Sequence, residues 1–380
     1  MINLPIQKLR PGMVTAQSIY NRQGVSYLTR GTAVTEKYIS RLKKIGVKNL
    51  TVTSMNPNYS ILPPDDIIQE KTRVDAINKL YDTYHALEEK GELNTNLLEG
   101  VSENILLDIL SNRSNLVQLT DLRMHDDYTF AHSVNVAVLS AMLGALCKLP
   151  RESMLDLIMG SLLHDIGKIS IPTEILTKPG RLSQSEFSIR QMHPDAGRAK
   201  IRELTSPSAT IYSLIAEQHH EHMDGRGYPG HIKGERIHKL ARIVAIADVY
   251  DALTSCRSYK PAYKPHIAHN IMMKCSPGQF DESLLKLFFD NVAIYPVGTV
   301  IETTMGYAIV KKSEFGRTRT PLICVFGNMD GNVLPHPFDI DLSDCPPDTV
   351  TGVLEDMKLI PLLLRMKIDP AKFLQDEEKI

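Results

Sequence analysis

Leu155-Asp-Leu-Ile-Met-Gly-Ser-Leu-Leu-His-Asp165 decides how the rest of the chain is read. Leu155, Leu157, Ile158, Leu162 and Leu163 make a strongly apolar helix, and it ends on two adjacent polar side chains, His164 and Asp165. Buried polar groups need partners. A helical core that holds further polar side chains is therefore expected around this point.

Moving outward, helical periodicity runs from about Asp66 to Asn291. Segments near 67–90, 102–119, 129–148 and 152–167 place apolar residues three and four apart. In the third, Val134, Val138, Met142 and Leu146 share one buried face. Pro172, Pro179, Pro229 and Pro261 mark breaks between later helices.

The flanks have a different texture. Residues 1–55 read as a small α+β module, with a helix capped by Thr35, running to Ile45 and ended by Gly46, and a strand at Asn49–Val52. Residues 56–66, rich in Pro and Asn, read as a linker to the helical region 67–294. From 295 to 380 strands are expected at Val300–Thr303, Tyr307–Val310 and Leu322–Phe326. A Pro- and Asp-rich stretch, Pro335–Asp348, and an apolar helical tail to about Leu364 follow. The fold class expected is a multidomain chain: a mainly α-helical domain between a small α+β N-terminal module and a small β-rich C-terminal module.

Composition narrows the function. Of the 380 residues, 43% are apolar and 23% charged, as in a soluble globular protein. Lys plus Arg number 43 against 44 Asp plus Glu, which argues against a broad surface for long nucleic acid and leaves room for a local phosphate pocket. The five cysteines are scattered without a CxxC pair, so reduced thiols are expected rather than a disulfide framework. No run approaches a membrane span, and Met1–Arg10 lacks a secretory pattern. A soluble, cytoplasmic protein is the expectation.

Seven residues of the helical region carry the chemistry of a two-metal site: His132, His164, Asp165, His193, His219, His220 and Asp248. Imidazoles and carboxylates suit first-row divalent ions such as Fe and Mn, and can hold Zn. A carboxylate directly after a histidine can bridge two ions while the imidazole binds one. Singly, His132 or His193 reads as an ordinary core histidine, and Asp248 could be a helix N-cap. The adjacent pair His219-His220 and the apolar run Ile243-Val-Ala-Ile-Ala before Asp248 favour ligands.

Taken in order, His132-Ser, His164-Asp165, His193-Pro, His219-His-Glu-His-Met-Asp-Gly-Arg-Gly-Tyr-Pro229 and Asp248 with Tyr250-Asp-Ala-Leu-Thr254 resemble the HD-GYP family of bacterial metal-dependent phosphodiesterases, over about residues 120–290. The resemblance implies one metal on His132, His164 and Asp248, a second on His193, His219 and His220, and Asp165 bridging them. Lys168 matches a lysine aimed at substrate phosphate; Arg257 and Lys260 match basic residues that grip phosphate or a guanine edge. Asp224 and Tyr228 are expected to take part in recognition rather than to bind metal.

The implied activity is hydrolysis of cyclic di-GMP to the linear dinucleotide pGpG or to GMP, by attack of a hydroxide shared between the metals. Turnover of cyclic GMP-AMP, or a cyclic dinucleotide receptor without turnover, are the alternatives. Members with three metals place a glutamate four residues before the first histidine, where this chain has Tyr128, so two ions, Fe or Mn, are expected; Asp126 and Asp127 lie close by. The loop Gly225–Pro229 resembles a docking surface for diguanylate cyclases of the GGDEF type.

Overall fold

The computed structural model describes residues 2–20, 26–54, 66–112, 128–178, 180–205, 210–255 and 262–374. The linker expected at 56–66 lies almost wholly outside them, as do Pro179, Pro261, Asp126, Asp127, Arg257 and Lys260. The chain divides into two compact units. One joins residues 1–65, 120–126 and 290–380; the other holds 66–119 and 127–289.

The first unit begins with β1 (Ile2–Pro5), β2 (Val14–Thr15), β3 (Ile19–Tyr20), β4 (Ser26–Leu28), α1 (Glu36–Lys44) and β5 (Asn49–Ser54). The Thr35 hydroxyl accepts from the Tyr38 N–H at the start of α1, and Gly46 leaves the helix at φ 76°. β5 lies between β1 and β2, antiparallel to both, with Leu4 opposite Leu50.

The second unit is helical: α2 (Glu70–Lys90), α3 (Thr95–Ser111), α4 (Tyr128–Leu146), α5 (Arg151–Leu163), α6 (Thr173–Leu176), α7 (Gln184–Arg190), α8 (His193–Leu204), α9 (Thr210–Gln218), α10 (Lys239–Thr254), α11 (Pro265–Gln279) and α12 (Glu282–Asn291). Its core is built largely where the periodicity placed it, except that Leu146, expected on the buried face of α4, is only half-buried. Val134, Val138 and Met142 of α4, Leu157, Ile158 and Leu162 of α5, and Ile243, Val244 and Ile246 of α10 are all buried. Each such side chain contributes about 1.5–3 kcal/mol relative to exposure.

The chain then returns to the first unit with β6 (Val300–Thr303), β7 (Gly306–Lys312), β8 (Leu322–Gly327), β9 (Val333–Asp341), β10 (Val350–Val353) and α13 (Asp356–Met366). The strands form one antiparallel sheet in the order β10-β6-β7-β8-β9. Two differences from the sequence expectation stand out. The stretch Pro335–Asp348, singled out only as rich in Pro and Asp and not among the expected strands, contains most of β9, which includes Pro335 and Pro337. An edge strand tolerates proline because its outer N–H groups have no ladder to serve, and β9 is an edge. The N- and C-terminal segments, expected as separate modules, share a core: Leu4, Leu42 and Leu50 cluster with Phe326, Leu359 and Leu363, and the Ser54 hydroxyl donates to Asp369 at 2.8 Å.

Candidate metal centre

The second unit brings all seven expected ligands together, from α4, the end of α5, the start of α8, the end of α9 and α10. Two groups form, each with ligand atoms mutually within 4.8 Å: His132, His164 and Asp165; and Asp165, His193, His219 and His220. Asp165 belongs to both. Its Oδ2 lies 3.3 Å from His164 Nε2 and 3.9 Å from His132 Nε2. Its Oδ1 lies 3.4 Å from His193 Nε2 and 3.9 Å from His219 Nε2. Asp248, expected with His132 and His164, meets both groups: Oδ1 is 3.1 Å from His132 Nε2, and Oδ2 is 3.9 Å from His220 Nδ1.

The orientation of the rings has a local cause. His164 Nδ1 donates to the Ser161 carbonyl at 2.7 Å, His193 Nδ1 to Arg190 at 2.7 Å, and His219 Nδ1 to Ala216 at 2.9 Å. In each case the acceptor is three residues back, in the last turn of α5, α7 or α9, where carbonyls lack helical partners. A carbonyl can only accept, so the proton is on Nδ1 and the Nε2 lone pair points inward. His132 lies inside α4 and uses a different partner, Asp251 Oδ2 on α10, at 2.6 Å.

Electrostatics prepares the same groups for a cation. Burial keeps His193, His219 and His220 neutral, the last pushed down to about 3. Burial opposes ionisation of Asp165 and Asp248, but Lys168 and His164 beside the first, and His132 beside the second, hold both carboxyls well below the usual carboxylate range. At His132 burial favours the neutral ring, yet hydrogen bonds to Asp248 and Asp251 raise it to about 9. Neutral imidazoles and ionised carboxylates are the forms that bind metal; His132 must give up a proton first. Among the described residues, His164 Nε2 and Asp165 Oδ1 are buried without a hydrogen-bond partner. A buried acceptor left unmatched costs about 1–3 kcal/mol, and a divalent cation is the guest that would satisfy both. The donor set fits a binuclear metal site.

Residues 104–284 match the HD domain family. Over 225 residues it is 36% identical to a cyclic di-GMP phosphodiesterase of Pseudomonas aeruginosa, covering 59% of this chain and 54% of that protein. Over 182 residues it is 35% identical to a 3'3'-cGAMP-specific phosphodiesterase of Vibrio cholerae, covering 48% and 42%. The chain thus spans about half the length of these relatives, or less. The HDG"Y"P protein Bd1817 of Bdellovibrio bacteriovorus shares the fold, with a TM-score of 0.51 at 19% identity over 76% of this chain and 98% of that one. No helix among the described residues is long and apolar enough to cross a membrane.

Around these seven side chains, Lys168 donates to Asp165 Oδ2, with its side chain 30% exposed. The Tyr228 ring lies against His220, centroids 4.8 Å apart, and burial raises its phenol above the ordinary tyrosine value. Asp224 is tied both to its own loop and to α11. Its Oδ1 accepts from the Arg226 N–H at 2.9 Å, and its N–H donates to the Gly278 carbonyl at 2.8 Å. Arg257 and Lys260 fall outside the described residues.

Several residues around the centre escaped the sequence reading. Asp251, fully buried, was visible only as part of Tyr250-Asp-Ala-Leu-Thr254. Its spacing of three from Asp248, on one apolar helix, was the signal. Asn135 stands in the same relation to His132 and donates to Asp251 Oδ1 at 2.8 Å. Buried Glu221 accepts from the Gly230 N–H at 2.6 Å, which closes the loop 221–230 on itself.

Proposed function

We propose that this chain is a metal-dependent phosphodiesterase of the HD-GYP type that hydrolyses cyclic di-GMP to pGpG or GMP. The observation that carries the reading is Asp165, one buried carboxylate whose two oxygens face different histidine groups. His132, His164 and Asp248 would hold one ion; His193, His219 and His220 would hold the other, with Asp165 serving both. Fe or Mn suits this mix of imidazole and carboxylate. When bound, two such ions supply an acidified water and polarise a phosphodiester.

The chain's own residues provide the rest. Nδ1–H bonds at His132, His164, His193 and His219 hold the rings so that Nε2 presents a lone pair. Lys168, partly exposed beside Asp165, places a positive charge where phosphoryl oxygens gather electron density. Tyr228, kept protonated by burial, is a hydrogen-bond donor at the same rim. Arg257 and Lys260 would clamp the remaining phosphate or a guanine edge. Asp224 and Glu221 would shape the loop 225–230 rather than touch the nucleotide, and that loop, with Arg226 87% exposed, would face a diguanylate cyclase partner.

A second substrate, cyclic GMP-AMP, is favoured by the likeness to the Vibrio cholerae enzyme. Incubating Mn-loaded or anaerobically Fe-loaded protein with each nucleotide, and separating products by chromatography, tests the proposal. Linear pGpG or GMP is expected from cyclic di-GMP. Recovery of bound but intact nucleotide would make the chain a receptor, and cleavage of cyclic GMP-AMP alone would reassign the substrate.

A further inference from the structure

Arg73 is among the most deeply buried charged side chains, with 1% of its surface exposed. It sits on α2 among Val74, Ala76, Ile77 and Leu80, all buried, and outside the region 104–284 that matches the HD family. Burying a guanidinium costs several kcal/mol unless its donors are well used, and packed apolar residues often serve stability better. A position on the apolar face of α2 therefore asks for a reason.

The reason lies in where its two prongs go. Nη2 donates to Asp66 Oδ2 at 2.6 Å, and Nη1 donates to Asn135 Oδ1 at 2.6 Å. A guanidinium has donors only, so it fixes which end of the Asn135 amide faces it. The Nδ2 end must then point the other way, and it donates to Asp251 Oδ1 at 2.8 Å. Ser255 Oγ donates to the same oxygen at 2.8 Å. With Oδ1 so occupied, Asp251 turns Oδ2 to His132 Nδ1, 2.6 Å away.

This chain of bonds does for His132 what helix-end carbonyls do for His164, His193 and His219. Inside α4 the preceding carbonyls are taken by the helix itself, so the ring has to borrow its Nδ1 acceptor from another helix. An acceptor carried on a side chain can turn unless something holds it. We propose that Arg73 is a positioning residue of the metal centre: through Asn135 and Asp251 it sets the ring of His132, which makes α2 part of the scaffold of the site. The inference rests on the metal-site reading above. Without Arg73 the Asn135 Oδ1 loses the donor that anchors the amide, so the Nδ2 bond that sets the angle of Asp251 toward His132 loosens.

The test uses the full chain and Mn2+ alone, titrated by equilibrium dialysis with metal analysis. Wild-type protein is expected to take up two ions. Arg73→Met should weaken one of them by about 10–100-fold, the usual effect of losing an outer partner of a ligand, and leave the other unchanged. Asp251→Asn should weaken the same ion. The double variant should lose no more than the more affected single variant, because the two residues act in series. Losses that multiply, or wild-type uptake by Arg73→Met, would overturn the proposal. Should Arg73→Met fail to fold, Asn135→Ser severs the link while keeping the Arg73–Asp66 pair. It carries the same expectation, and the same refutation if both ions bind as in wild type. Wild-type protein that takes up no Mn2+ would instead remove the metal-site reading, and this inference with it.

Discussion

Replacing Gly167 with alanine should disable the second ligand group while leaving the fold in place. Gly167 lies two residues past Asp165, and its φ is not in the left-handed region, so the constraint is space. A Cβ there would sit 2.0 Å from the His193 carbonyl oxygen and 2.5 Å from the Gly197 nitrogen. Both are backbone atoms and cannot rotate away. To reach 3.4 Å, where ordinary contact begins, the start of α8 must retreat by about 1.4 Å, carrying His193 with it. His193 Nε2 now lies 3.4 Å from Asp165 Oδ1 and 3.5 Å from His219 Nε2. A misplacement of about 1 Å at a reacting centre can cost about 100-fold in rate, equivalent to about 2.7 kcal/mol. Overpacking of this kind destabilises a fold by about 1–3 kcal/mol, which a domain of this size can absorb. Mn2+ uptake and cyclic di-GMP turnover by Gly167→Ala should therefore fall together, with uptake dropping toward one ion. Gly100→Ala on α3, where nothing lies within 4 Å of the added Cβ, is the matched control and should behave as wild type. Two ions and unchanged turnover in Gly167→Ala would refute the claim that His193 is held by this backbone contact.

Asp165→Ala should abolish turnover and reduce bound metal, as read by metal analysis; a variant that keeps both would rule out a shared carboxylate. Lys168→Ala should lower kcat by an order of magnitude or more with metal content near wild type, and equal turnover would take Lys168 out of the machinery. The pH dependence of the cation-free protein follows from His132, raised from 6.5 to about 9. A raised folded-state value means that its contribution to stability is complete below pH 6.5 and is lost as pH climbs through 9. Melting temperature should fall over that window, and Mn2+ uptake at pH 7.5 should release about one proton at this ligand, measurable from the buffer dependence of the binding heat. Zero proton release would contradict the assignment.

Much of the helical unit was legible because burial on one face writes itself into spacing: most of the apolar residues named on α4 and α5 lie in the core, with Leu146 and Leu155 only half-buried. β9 was not legible, since Pro335 and Pro337 read locally as a break and only the sheet order makes them edge residues. The shared core of the two termini was hidden for a similar reason. Leu50 and Leu363 belong to one cluster, but nothing in either segment's pattern names so distant a partner. At the site, the histidines and aspartates could be read because imidazole and carboxylate on apolar stretches are chemically conspicuous. Their supports could not. Ser161, Arg190 and Ala216 contribute backbone oxygens, which every residue type possesses, and Arg73 reads as one charged residue on a helix until its two partners are known.

The three helix-end carbonyls give the centre an uneven tolerance to change. The oxygens offered to His164, His193 and His219 do not depend on which side chain stands at 161, 190 or 216, although Ser161 and Ala216 are buried and admit only small replacements. At those three corners the limit on change is therefore space rather than chemistry. The corner around His132 has no such freedom, because its acceptor is itself a side chain that leans on others. Inheritance of a working centre is therefore most exposed on α2, α4 and α10.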